Sequence, residues 1–153
     1  MDENSKRFVD LLGQHLEEDG VPRTYGRLLG VLLLNPEPRS LEELAEQLQV
    51  SKGSISSNAR ALEARGIAER VTVPGDRRDF YQLSDDFMQR VFMRHLERQR
   101  LLIDRLQVGR ESAAEAPPHV RERFDQLTEY LKDSIEMTEE LLAVGSRRRV
   151  SRS

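Results

Sequence analysis

The chain contains no cysteine and no tryptophan, and only eight phenylalanine and tyrosine residues among 153. Without cysteine there is neither a disulfide framework nor a thiolate metal site. Long apolar runs are missing too. Stretches such as Val31-Leu32-Leu33-Leu34 fall far short of the roughly 20 residues a membrane span requires. The opening Met1-Asp2-Glu3-Asn4-Ser5 lacks the basic-then-apolar order of a signal peptide. A cytoplasmic location without membrane association is therefore expected. The three histidines, His15, His95 and His119, fall on separate segments with no ligand spacing, so no metal is expected. Neither a Ser-His-Asp set nor a glycine-rich phosphate loop is discernible. No catalytic residue, cofactor or enzymatic activity is expected.

A strong excess of positive charge is absent as well, since the net charge is −3. That argues at first against a nucleic-acid partner, but the charge is unevenly spread. Residues 39–83 carry seven cations and seven anions, and residues 145–153 carry four arginines and no acid. Phosphate binding needs only a local basic face, because screening confines distant charge to about 8–10 Å.

What is present is helical periodicity. A first helix reads from Ser5 to Asp19, with Phe8, Leu12 and Leu16 on one stripe and Gly20 as its stop. Pro22 opens a second, ending at Leu34 before Asn35-Pro36-Glu37-Pro38. Ser40-Leu41-Glu42-Glu43 is a capping box that starts a short helix to Leu48. After Gln49-Val50-Ser51 another helix begins, capped by Ser51 and ending near Gly66. Ile67–Val73 and Phe80–Leu83 read as antiparallel strands joined by a turn over residues 74–79. Ser84-Asp85-Asp86 caps a long helix to Val108, Gly109–Ala116 reads as a loop, and Pro117-Pro118 opens a last helix to Val144. Two short helices, a tight turn and a hairpin describe a winged helix-turn-helix.

The helix from Lys52 to Arg65 carries the functional signal. With Ile55 inward at about 100° per residue, Ala59 and Leu62 fall beside it. Ser57 then lies nearly opposite, flanked by Gly53 and Arg60, with Ser54 and Ser56 at the edges. A solvated face would favour Glu and Lys, which form helix better than Ser or Gly, yet no Glu precedes Glu63. Small donors and acceptors suit a helix pressed into a major groove. Free N–H groups around Ser51, Lys52, Gly53 and Ser54 suit a phosphate. At the hairpin tip, Arg77 and Arg78 can reach a neighbouring minor groove, with Asp76 or Asp79 pairing one of them and fixing its direction. The bland alternatives are a polar surface helix with a run of serines and a solvated charged turn.

The stretch from Leu41 through Ser84 resembles the winged helix of MarR-type regulators, including the Asp76-Arg77-Arg78 wing tip. A narrower resemblance is to the GbsR branch. It rests on Gly20-Val21-Pro22-Arg23, Gly26-Arg27, Gly30, Leu32-Leu33-Leu34, Pro36, Glu43-Leu44-Ala45, Ser51-Lys52-Gly53-Ser54-Ile55-Ser56, Arg60 and Pro74-Gly75-Asp76-Arg77. The match covers residues 18 to 84. It implies a dimeric one-component regulator, more often a repressor, whose outer helices form the dimer interface. Some relatives respond to choline or related osmoprotectants, and no motif here marks such a ligand site.

The last helix offers Val120, Phe124, Leu127, Leu131, Ser134, Thr138 and Leu141 at near-heptad spacing. A self-complementary dimer would cover Phe124, Leu127, Leu131 and Leu141; an intramolecular hairpin is the alternative. The expected fold is mainly α, a winged helix-turn-helix with a small β-hairpin wing and long flanking dimerisation helices. Its expected parts are a helix contributing to dimerisation (1–20), the DNA-binding domain (21–84), a helical dimerisation region (85–144) and a disordered basic tail (145–153). The tail either adds nonspecific DNA affinity or does nothing. A small-molecule effector would sit near Phe8, Tyr25, Phe87 and Phe92, where several rings could face a cation; the same rings also read simply as core. The expected function is a homodimeric, ligand-responsive repressor of double-stranded DNA with a palindromic operator. The alternative is a winged helix repurposed to grip another protein, which would call for an apolar recognition face.

Overall fold

Asp2 starts the first helix: its carboxylate accepts the Ser5 N–H at 2.8 Å, and α1 runs Glu3–Glu18. The computed structural model describes residues 1–150, with side chains as far as Gly145. The chain forms two units, residues 1–88 and a second beginning at Gln89. In α1 the buried positions are Val9 and Gly13, with Leu12 and Leu16 half-buried, while Phe8 is 40% exposed. The inward stripe is thus shifted from the expected Phe8, Leu12 and Leu16. The reason is that α1 meets α2 (Arg23–Leu34) through glycine backbone rather than large side chains. A Cβ at Gly26 would stand 2.8 Å from both the Gly13 Cα and the Leu12 carbonyl oxygen.

Pro22 caps α2 from just outside its first turn, and at the far end the Asn35 amide donates to the Val31 carbonyl at 2.7 Å. Then come α3 (Leu41–Leu48) and α4 (Lys52–Glu63). Leu28 and Leu32 of α2 join Leu44 and Leu48 of α3 and Ile55 and Leu62 of α4 in one core. Each such side chain contributes about 1.5–3 kcal/mol by leaving water. A Schellman turn closes α4: the Gly66 N–H bonds the Glu63 carbonyl at 2.8 Å and the Ile67 N–H bonds Leu62 at 3.0 Å. Gly66 meets the turn's need for a left-handed residue, with φ of 68°.

The sheet has three strands, where the sequence showed only a hairpin. β2 (Ala68–Val71) and β3 (Phe80–Leu83) pair antiparallel as expected, and β1 (Arg39–Ser40) adds to the other edge of β3, in the order β1-β3-β2. Arg39 lies opposite Tyr81 and Ser40 opposite Phe80. Two residues are too few for a period-two pattern, so β1 left no trace in the sequence. β2 ends at Val71, short of the expected Val73.

In the second unit, α5 (Phe87–Ser112) and α6 (Pro118–Val150) are joined by polar clasps. Gln99 donates to Ser134 Oγ at 2.9 Å, Arg110 donates to Asp125 at 3.2 Å, and Arg100 pairs with Glu139. The pair is an antiparallel hairpin. Gly109, expected to open the loop, lies inside α5, and a Cβ there would stand 2.8 Å from the Phe124 ring. It is a close-approach position, not a helix stop. The expected seam of α6 separates into two rows. Phe124 faces Gly109 and Leu131 is only 8% exposed, whereas Leu127 and Leu141 are 44% and 55% exposed. Tyr130, Met137 and Val144 continue the exposed row. The rows lie about 100° apart, a difference blurred because a seven-residue repeat drifts about 20° per heptad on a straight helix. α6 continues past Val144 into Gly145, and the arginines of the expected basic tail lie outside the described side chains. Among the described residues no helix is long and apolar enough to cross a membrane. Among them, too, no cluster of three or more histidine or acidic side chains could hold a metal ion.

Candidate nucleic-acid interface

The turn between α3 and α4 sets the N-terminus of α4. Gln49 adopts a left-handed conformation with φ of 55°, and its N–H returns to the Ala45 and Glu46 carbonyls. Ser51 then caps α4 as expected, its hydroxyl accepting the Ser54 N–H at 3.2 Å. Ile55 N–H returns to the Ser51 carbonyl at 3.1 Å. The N–H groups of Lys52 and Gly53 stay free of protein acceptors among the described residues, at the positive end of the helix dipole.

Along α4 the inward positions are Ile55, Ala59 and Leu62, all fully buried as the spacing required. Ser57 and Arg60 are exposed, and Ser54 and Ser56 form half-buried edges. Arg60 is not loose: its Nε donates to the Ser56 carbonyl at 3.2 Å, aligning the side chain along the helix. Asn58, absent from the expected set, donates its amide to the Ser54 carbonyl at 2.8 Å. Lys52 is ion-paired with Glu42 of α3, a partner the sequence reading did not anticipate. The pair spans ten residues and joins two helices, so no single-helix periodicity could mark it. Lys52 holds the Glu42 carboxyl below its usual range by hydrogen bonding to it.

The wing turns at Gly75, whose φ of 84° suits a residue without Cβ. Its two arginines differ sharply. Arg78 donates to Asp76 at 2.6 and 2.9 Å, reaches the buried Ser40 hydroxyl at 3.2 Å and lies over the Phe80 ring, 5.1 Å from its centre. Asp76 is held below its usual range by that guanidinium, and Arg78 is raised in turn. Ser40 also completes the expected capping box: its N–H donates to the Glu43 carboxylate at 2.8 Å, and its Oγ accepts the Glu43 N–H at 3.3 Å. That bond to the Ser40 N–H is the main reason the Glu43 carboxyl also lies low. Arg77 is exposed, and its guanidinium has no partner among the described residues. Arg70 pairs with Asp79 at 3.4 Å.

The four aromatic residues expected to flank an effector sit on three helices, α1, α2 and α5. Tyr25 is 5% exposed within the core, with the Arg65 guanidinium 5.1 Å above its ring. Phe8 is exposed on α1, and Phe92 is half-buried on α5 in the second unit. Phe87 alone of the four lines a cavity of about 540 Å³, with Leu32, Leu34, Gln82 and Asp85 among its walls.

The profile of the MarR family matches residues 19–79. The HTH-type transcriptional regulator MmpR5 of Mycobacterium tuberculosis is 37% identical over 125 residues, which are 81% of this chain and 76% of that protein. The chain belongs to the MarR family. This is a family of DNA-binding transcriptional regulators, not of enzymes. A crystal structure described as that of a transcriptional regulator superposes on this MarR-family chain with a TM-score of 0.82 and 33% identity. The superposition takes in 94% of this chain and 99% of the other, so the winged-helix fold is shared along nearly its whole length. The HTH-type transcriptional repressor GbsR of Bacillus subtilis is 26% identical over 81 residues, 53% of this chain and 44% of its own length. The likeness to GbsR is therefore confined to about half of the MarR-family chain.

Proposed function

We propose that this MarR-family chain is a cytoplasmic, homodimeric, ligand-responsive repressor that binds a palindromic operator. The observation that carries the reading is the outward face of α4. It pairs free N–H groups at Lys52 and Gly53 with exposed Ser57 and Arg60, above an inward row that is fully buried. In this reading Ser51, Lys52, Gly53 and Ser54 hold a phosphate, and Ser56, Ser57 and Arg60 face base edges. Arg77 enters the adjacent minor groove. Arg78 works one step back, fixing the wing through Asp76 and Ser40. A protein-gripping winged helix would need large apolar side chains on this face, and Ile55 and Leu62 point the other way.

Assembly rests on the exposed row of α6, Leu127, Tyr130, Met137, Leu141 and Val144, which a second copy would cover. Repression is supported by the name of the relative GbsR. The cavity beside Phe87 supports a small effector that favours one spacing of the recognition helices. Selection of duplexes from a random-sequence pool tests the DNA reading. The expected yield is an inverted repeat whose half-sites lie about 34–36 Å apart. A pool that shows no enrichment, or enriches a single asymmetric site, refutes it.

A further inference from the structure

The cation best placed for a phosphate at the start of α4 is already engaged. The Lys52 ammonium is ion-paired with the Glu42 carboxylate, and both side chains remain open to solvent. Glu42 lies in the first turn of α3, where the helix dipole favours a negative charge. The guanidinium of Arg78 adds a further favourable field at that carboxylate. Glu42 thus carries its negative charge to the first residue of α4, where the pair with Lys52 holds it. A phosphate approaching the Lys52 and Gly53 N–H groups must displace this carboxylate from the ammonium or accept its repulsion.

In the operator complex the base-edge contacts seat that phosphate on the backbone N–H groups of Lys52 and Gly53. A randomly seated duplex depends on the ammonium itself, so the cost falls mainly on nonspecific binding. Nonspecific binding is essentially all phosphate neutralisation, whereas specific binding adds base-edge contacts. Ser57 and Arg60 lie about one to two turns further along α4 than Lys52, away from the ion pair. We propose that Glu42 is a specificity-determining residue, which withholds the Lys52 ammonium from phosphates of non-operator DNA and so widens the gap between operator and random sequence. The inference rests on α4 being the recognition helix, and it assigns a role to a residue of α3 that touches no base.

The test uses the full chain and two fluorescent duplexes of equal length, one of random sequence and one taken from the selection described above. Anisotropy titrations over a range of NaCl compare wild type, Glu42→Gln, Lys52→Ala and the double variant. Glu46→Gln, on the exposed side of the same helix, controls for net charge. Glu42→Gln is expected to bind the random duplex about 1.5- to 5-fold tighter, with the log K against log salt slope steeper by about 0.9 per engaged helix. Operator affinity should rise less, so that the ratio between duplexes narrows. Glu46→Gln should do neither, and Lys52→Ala should abolish the effect of Glu42→Gln. The inference is overturned if Glu42→Gln leaves random-duplex affinity unchanged or lowers it, or if the gain survives in Lys52→Ala. Wild-type discrimination between the two duplexes separates the failures. If it is present, loss of the Glu42 effect sinks this inference alone; if it is absent, the DNA reading falls with it.

Discussion

A methyl group added at Gly53 meets no protein atom within 4 Å, so Gly53→Ala reports on what lies outside the chain. Within the free protein the substitution should be mildly favourable. Glycine in a helix interior costs about 1 kcal/mol relative to alanine, and in the first turn of α4 about half of that is recovered. A melting temperature raised by about 1–4 °C follows. On DNA the sign reverses. If the sugar-phosphate backbone lies close against this turn, as the absence of a side chain at Gly53 allows, the added methyl meets it. Overpacking of that kind costs about 1–3 kcal/mol, equivalent to about 5- to 150-fold weaker binding. Scanning calorimetry and anisotropy on the selected duplex read the two effects from one preparation. Affinity equal to wild type, in a variant that melts no lower, would refute close approach of the α4 N-terminus to the backbone of DNA.

Arg77→Ala should reduce the salt slope by about 1 per wing with unchanged stability, while Arg78→Ala should lower the melting temperature by loosening the wing base; equal slopes for Arg77→Ala and wild type would remove Arg77 from the phosphate contacts. Gly26→Ala drives a Cβ to 2.8 Å from the backbone of α1 and should destabilise by about 1–2 kcal/mol after its propensity gain. An unchanged urea midpoint would show that the two helices part freely. Leu127→Asp with Leu141→Asp charges the exposed row of α6 and should give monomers that bind DNA poorly. Light scattering that finds an intact dimer would place the interface elsewhere.

The helix-turn-helix was legible because its signals are local. The Ser40 capping box, the Ser51 cap and the inward row Ile55, Ala59 and Leu62 each follow from residues within two turns of one another. What escaped were relations between segments. β1 is two residues long and exists only by pairing with β3. The Lys52–Glu42 and Arg78–Ser40 contacts join residues ten and thirty-eight positions apart. Gly109 read as punctuation because a glycine in a polar stretch looks the same whether it ends a helix or admits a ring. The two rows of α6 merged because seven-residue spacing is shared by a hairpin contact and a dimer seam. Arg77 and Arg78 were indistinguishable as neighbours, and only the third dimension assigns one outward and one to the wing base.

Ser40 belongs at once to the edge strand, the cap of α3 and the anchor of the wing. The cap and the wing anchor share one hydroxyl on a fully buried residue, so opening either strips a partner from the other. Fraying of the wing base and fraying of the α3 N-terminus should therefore be one event. In amide hydrogen exchange, the N–H groups of Ser40, Glu43 and Arg78 should lose protection with a common opening free energy rather than a graded series. An element of that kind opens as a unit, so the angle of the wing to α3 is set by one buried hydroxyl.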